Sequence, residues 1–492
     1  MIPLWLVDYP PIQDLPQHLA AIRVLHSFRD PAFGFASYFT IDILRTQYLL
    51  YYLAAHALAY LFDLVLANKI LLTVVISATP YAMRSLLRAL AGDQRLALFV
   101  LPLTYNAHLI LGFFNFLAAV PLALYGLSLA VQQRGRPGRL KAATWAMLTL
   151  VTFYTHVVPF GLLIFGSFLV FLGVDLKGTI KRFALFIPAA LGVLFWIVTS
   201  PAGHSFRTAA LLSDSRSGPQ PFFQPWREAL RDAPAWMTDI LWDQFDDRLL
   251  LAWGALAAAA LLCGLGIPRI GSARTYLRGL LEHPKYRLSL LAPVAALAYF
   301  VSPTSYDWIW PIAQRFPLLA AIFFIPALPR PKWIFGYFIY LAVSVIALAQ
   351  FYQVGTAFRY YQQQEVGDFE GALEAIPERE RVAGLIWQRG SAVVKFSPFI
   401  HYVAYYLVRK GGAVMFTFAD FPASPYTFLE QNRPERVPPR WEWKPEAVDP
   451  ARDLSWYRYV LVRGGPGPIA SQREVYAPVY RGHKWSVWKR SK

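Results

Sequence analysis

Between about residues 69 and 352 this chain is a succession of long apolar runs, broken by short loops in which lysine and arginine outnumber acids. A run of about 20 apolar residues can close its backbone hydrogen bonds as a helix and so lie in hydrocarbon, where irregular chain cannot. Candidate spans fall at about 69–89, 95–107, 111–131, 142–156, 157–174, 183–201, 249–267, 287–302, 310–328 and 333–352. Of the 492 residues, 56% are hydrophobic and 16% charged. Soluble domains carry about 25% charged residues. The fold class expected is a polytopic α-helical membrane protein of about 10 spans with interfacial helices. Runs of this length do not fit a transmembrane β-barrel.

The net charge of +17 is placed where membrane topology would put it. Arg134, Arg136, Arg139 and Lys141 form one basic cluster and Lys177, Lys181 and Arg182 another. Arg269, Arg274, Arg278, Lys285 and Arg287 form a third, and Arg330 with Lys332 a fourth. Counting spans puts all four on one side, cytoplasmic by the positive-inside rule. Arg84, Arg88 and Arg95 join them only if the apolar stretch 48–66 lies flat at the interface, and it is assigned there. Loop charges of this kind do not call for a nucleic-acid partner. The single cysteine, Cys263, lies in an apolar run, which excludes an intramolecular disulfide and a cysteine metal site. The apolar stretch at Met1–Val7 is too short for a cleavable signal peptide.

The opposite, extracytoplasmic side then receives the first external loop, the turns near Asn106 and His156, the loop 202–248, the Tyr306-Asp307-Trp308 turn and the tail. Trp226, Trp236 and Trp242 suit an interfacial belt on that loop. The expected organisation is a membrane domain over 1–365, with 1–68 as first external loop and interfacial helices, and a small extracytoplasmic α/β domain over 366–492. In the tail, Arg381–Trp387, Ala413–Phe418 and Tyr457–Val462 have strand character, Pro398–Arg409 is helical, and Val475–Lys489 suggests a hairpin. No internal repeat supports an inverted-repeat transporter.

Polar groups at the lip of a membrane domain are functional candidates because they are expensive to place there. Asp14 has two readings. It can be a helix N-cap, with Pro16 in the first turn and Gln17 three residues on, as in a capping box. It can also be a carboxylate that takes the proton from an attacking hydroxyl; Asp8 is a competitor for that role. His18, four residues on, shares its helical face and can hold Asp14 or contact a phosphate. Asn106, His108 and Asn115 bracket one expected external turn, and His156 marks another. Each can equally be a helix-end cap or an interhelical hydrogen bond. Arg315 stands about one turn into an apolar span with no acid at i±4. It either snorkels to the interface or grips a lipid phosphate through its guanidinium fork. No residues have metal-ligand spacing, and there is no glycine-rich nucleotide loop.

Taken in order along the chain, these motifs resemble the GT-C superfamily of integral-membrane glycosyltransferases. The resemblance is carried by Pro10-Pro11-Ile12-Gln13-Asp14-Leu15-Pro16-Gln17-His18-Leu19, Arg84-Ser85-Leu86-Leu87-Arg88, Gly112-Phe113-Phe114-Asn115-Phe116, Thr155-His156, Gln314-Arg315-Phe316, His401-Tyr402-Val403-Ala404-Tyr405 and Tyr459–Gly464. It implies an inverting transferase of a bacterial inner membrane, part of the cell envelope, that uses a polyprenyl-phosphate-linked sugar. The acceptor would be a lipid, glycan or protein hydroxyl on the extracytoplasmic face. Asp14 would be the catalytic carboxylate and Arg315 a ligand of the lipid phosphate. His18, Asn106, His108, Asn115 and His156 would contact substrate. Many members carry a second acid near a later span; amides between Asn106 and Asn115 stand there instead, so a divalent metal is left open. Members also have a span ahead of the first external loop, and Met1–Leu6 resembles its tail. Either an upstream start supplies that span or the chain is an incomplete enzyme. A lipid or glycan flippase would instead line its spans with polar groups at mid-depth. A non-catalytic scaffold would present the tail without a pocket.

Overall fold

A computed structural model describes residues 2–491 apart from 174–175, 201–202, 204–219, 266–282, 307–308, 332, 435–439, 466 and 473. Arg269, Arg274, Arg278 and Lys332, most of the 202–219 part of the long loop, and the Asp307-Trp308 turn therefore lie outside the described residues. The chain divides into two compact units. One comprises Met1–Leu71, Ile110–Gly112 and Gln353–Lys492, the other Leu72–Leu109 and Phe113–Tyr352.

Among the described residues, four helices are long and apolar enough to cross a membrane: Leu64–Ala89, Phe114–Gly135, Lys177–Thr199 and Phe335–Val366. Shorter apolar helices run over Gln94–Leu103, Val157–Phe171 and Ala313–Ala327. Several expected spans are broken. The 95–107 run becomes a 3₁₀ helix over Gln94–Leu103 with Pro102 inside it. The 287–302 run becomes Pro284–Leu288 and Leu291–Val301. Along Lys177–Thr199 the side chains of Ile187, Leu191, Leu194, Phe195 and Val198 are all exposed. An apolar helix bare on its outer faces is stable in lipid and a liability in water.

Three of the basic clusters meet at one helix end in the second unit. Arg134 donates to the carbonyls of Val170 and Leu172, Arg182 to Phe171, and Arg287 to Leu169 and Leu172. These are the last carbonyls of the Val157–Phe171 helix, which have no partner within the helix and carry its negative dipole end. His156 caps the other end of that 15-residue helix, about 22 Å away at 1.5 Å per residue.

The first unit is built on a five-stranded sheet. Strand Arg381–Ile386 pairs in parallel with Ala413–Val414 on one side and Tyr459–Arg463 on the other. Tyr459–Arg463 pairs antiparallel with Trp485–Arg490, which forms a hairpin with Tyr476–Arg481. Tyr459–Arg463 is buried throughout, and Arg381–Ile386 is buried after its first residue. Such continuous burial is the mark of strands covered on both faces. Ala383, Leu385, Val460 and Val462 pack with Trp441, Tyr476 and Trp488 on one face. Strand Ala413–Val414 is shorter than the sequence pattern suggests, because Phe416 turns the chain with φ 57°.

The N-terminal segment belongs to this same unit. Phe39–Ile41 pairs antiparallel with Tyr426–Phe428, Arg23 donates to the Val408 carbonyl at 2.9 Å, and the Gly412 amide donates to the Phe33 carbonyl at 2.9 Å. Gly411 makes that last approach possible. It stands at φ 72°, and a Cβ there would overlap the Phe33 backbone. Gly411→Ala should therefore destabilise the protein by about 1–3 kcal/mol or more. Gly135→Ala, where a Cβ meets nothing within 4 Å, should stay near wild type. Thermal unfolding in detergent, followed by tryptophan fluorescence, checks both.

Candidate functional site

Asp14 stands at the N-cap position of the Leu15–Ser27 helix, with φ −91° and ψ 0°, and its side chain makes no capping bond. The capping-box expectation is corrected on both members. Gln17 instead donates to the Phe416 carbonyl and accepts from the Phe418 amide at 3.3 Å. Backbone bonds hold Asp14 in place: Gln13 N–H donates to Ile110 at 2.8 Å and Asp14 N–H to Leu111 at 3.2 Å. The chain then turns at Gly112, φ 94°, where a Cβ would lie 2.8 Å from Asp14 Cβ. Only glycine lets these segments touch without displacing the carboxylate.

The freed carboxylate meets a histidine from the tail. Asp14 Oδ1 lies 3.1 Å from His401 Nε2, and His401 Nδ1 lies 2.7 Å from Glu442 Oε1. The second contact is an ion pair rather than a linear hydrogen bond, since neither atom meets hydrogen-bond geometry. Burial opposes a charge on His401, but Glu442 and Asp14 outweigh it and hold its pKa up at about 10. His401 is therefore an imidazolium at neutral pH. The side chains of Asp14, His401 and Glu442 keep 16%, 12% and 14% of their exposure, so the group is sheltered but reachable. Among the described residues, Asp14 Oδ2 accepts no hydrogen bond.

Three elements fix this arrangement. The Ser397 amide donates to Gln13 Oε1 at 3.2 Å, which ties the turn carrying His401 to the first loop. The Phe399 amide donates to the Arg389 carbonyl, and Arg389 Nη1 donates to the Trp443 carbonyl at 2.5 Å, beside Glu442. Trp441, on Glu442's other side, is buried against the sheet. His401 and Glu442 were not among the candidate residues read from sequence. The signal for His401 was its motif; nothing in the sequence pairs Glu442 with a histidine 41 positions earlier.

His18 is committed elsewhere. Its Nε2 donates to the Gly112 carbonyl at 2.7 Å, so Nδ1 accepts from the Tyr52 hydroxyl at 2.8 Å. Burial pulls its pKa down to about 4 against the opposing pull of Asp14 and the Gly112 carbonyl. It stands as a neutral strut with both ring nitrogens hydrogen-bonded.

The remaining candidates lie in the second unit. Asn106 staples its own turn, donating to Leu103 and Thr104 carbonyls and accepting from the Leu109 amide. His156 accepts from the Val158 amide at 3.1 Å, the helix-cap reading. His108 is fully buried against Phe116, with ring centroids 4.9 Å apart. Asn115 keeps its Oδ1 buried and unpaired among the described residues. Arg315 is 8% exposed, lies over the Phe113 ring at 5.4 Å and acts electrostatically on both His108 and His156. The structure thus gathers Arg315, His108 and His156. A small apolar cavity of about 20 Å³ in the same unit is lined by Val75, Val100, Leu117, Leu318 and Ile322, with Asn106 among its few polar groups. Asp239, Asp246 and Asp247 bring carboxylate oxygens within 4.8 Å of one another. Asp246 Oδ2 is already bound to the Ile240 and Leu241 amides, which is capping geometry.

No family model matches this sequence, and no curated protein matches it. Among solved structures the chain is similar to ArnT from Cupriavidus metallidurans in the apo state. That match has 10% identity and a TM-score of 0.54, and covers 99% of this chain and 95% of the other. ArnT from the same organism bound to undecaprenyl phosphate aligns over the same shares with 12% identity and a TM-score of 0.40. The chain shares the fold of apo ArnT. At this identity the likeness is one of architecture, and the chemistry must be read from the side chains.

The neutral state of His18 makes a signed prediction. Between pH 6.5 and about 4 the unfolded chain binds a proton at His18 that the folded chain does not, so its contribution to stability falls as pH drops through that window. The stability advantage of wild type over His18→Gln in thermal unfolding should be largest near pH 7 and shrink toward pH 4.

Proposed function

We propose that this chain is a glycosyltransferase of the GT-C type, acting at the extracytoplasmic face of a bacterial inner membrane. It transfers a sugar from a polyprenyl-phosphate donor to an acceptor hydroxyl with inversion. The observation that supports this reading is the state of Asp14, with one oxygen 3.1 Å from His401 and the other accepting no hydrogen bond among the described residues, in a chain with the fold of apo ArnT. The acceptor oxygen attacks the anomeric carbon as its proton passes to Asp14. The bond from that carbon to phosphate oxygen breaks, and its electron pair leaves with the lipid phosphate.

Arg315 is assigned to the phosphate. Its guanidinium is sheltered, where its field is strong, and sits over an aromatic ring that limits its rotamers. Leu318 and Ile322 follow it at helical spacing and line the apolar cavity. A cation followed along one helix face by apolar side chains suits a phosphate carrying an isoprenoid tail. A flippase reading draws no comparable support.

Asp14→Asn should lower transfer by about 10²–10⁴-fold, the range for loss of a positioned base. Arg315→Lys should weaken donor use more than acceptor use. The measurement is product formation by purified protein with a panel of polyprenyl-phosphate sugars. Full transfer by Asp14→Asn removes it as the base.

A further inference from the structure

Resting on the reading of Asp14 as proton acceptor, we propose that His401 and Glu442 are its positioning pair. His401 selects and orients the Asp14 carboxylate through Oδ1, and Glu442 fixes His401 from the opposite ring nitrogen.

A carboxylate is two-fold symmetric about its terminal bond, so an unheld Asp14 would present either oxygen in many orientations. The 3.1 Å contact to His401 Nε2 engages Oδ1 and breaks that symmetry. An imidazole can serve carboxylates at both nitrogens only when both carry hydrogen. Glu442, 2.7 Å from Nδ1, supplies the second negative charge that makes this state stable. Arg389 braces the pair, because its backbone carbonyl takes the Phe399 amide while its guanidinium holds the Trp443 carbonyl.

Glu442 also sets the charge of the group. With Glu442 behind His401, the trio carries one net negative charge before the step and none after the acceptor proton reaches Asp14 Oδ2. His401 neither gains nor loses a proton in that step. Other groups facing the trio are neutral His18, which interacts with Asp14 and His401; the Tyr52 hydroxyl, which interacts with Asp14; and Asp420, which interacts with Glu442 and has Arg433 at 3.6 Å.

The test uses the full chain in detergent with labelled histidine, His401→Gln serving to assign the His401 resonance. In wild type His401 should titrate near pH 10, and Glu442→Gln or Asp14→Asn should move that titration down toward 6.5. In the transfer assay His401→Gln should lower kcat about 100-fold, the cost of a misplaced reacting group, with donor KM little changed. Glu442→Gln should lose activity at lower pH than wild type on the alkaline side, and Glu442→Asp should recover part of the range. Thermal unfolding separates these effects from misfolding. An unmoved titration in Glu442→Gln, or full kcat in His401→Gln, overturns the pair. Full transfer by Asp14→Asn sinks the base reading itself, and this role with it. An inactive Asp14→Asn beside a fully active His401→Gln sinks the pair alone.

Discussion

A sheltered imidazolium is tolerable only with opposite charge close at hand, and the first unit is organised around that requirement. Removing one partner of a buried ion pair typically costs about 3–5 kcal/mol, because the other charge is left unmet. Here the partners come from positions 14, 401 and 442, so the contact exists only if the first loop and the tail fold as one body. They do so through many modest bonds. Gln13 and Gln17 reach into the tail on either side of Asp14, Arg23 reaches the Val408 carbonyl, and Phe39–Ile41 completes a ladder with Tyr426–Phe428. Each such hydrogen bond contributes about 1 kcal/mol. Together they fix the backbone on both sides of the charged trio.

The second unit answers to a different solvent. Its outward faces are apolar along Lys177–Thr199, and Arg134, Arg182 and Arg287 are spent on carbonyls at the end of Val157–Phe171. That helix sorts the unit's polar groups. Cations gather at its C-terminal end, where the dipole and unpaired carbonyls favour them. His156 caps the opposite end, within electrostatic range of Arg315.

Membrane character was legible from the apolar runs because hydrocarbon imposes one rule on every residue in a span. The tail strands Arg381–Ile386 and Tyr459–Arg463 were legible for a similar reason, since central parallel strands leave continuous apolar runs. Helix continuity was less legible: Pro102 and the break near Leu288 turn hydrophobic runs into shorter or tighter pieces. At the site, Asp14 was found from its place in the chain. His401 appeared only within a motif, and Glu442 not at all. A charge contact across hundreds of residues leaves no local periodicity, so spacing arguments cannot reach it. His18 was legible as a residue of interest, but its partners, Tyr52 and the Gly112 carbonyl, were not, because tertiary packing supplies them.

The sequence did hold one unused signal about Asp14. An N-cap side chain accepts from the amide of the second or third helical residue. With Asp14 at the cap, the second position is Pro16, which has no amide hydrogen. One of two possible capping partners is therefore absent by covalent structure, and the helix start has one fewer donor to satisfy. Leaving Asp14 uncapped is correspondingly cheaper than at an ordinary helix start. Proline and aspartate at this spacing thus do more than begin a helix: the proline lowers the penalty for turning the carboxylate away from its own backbone, and His401 supplies the charge that it turns toward.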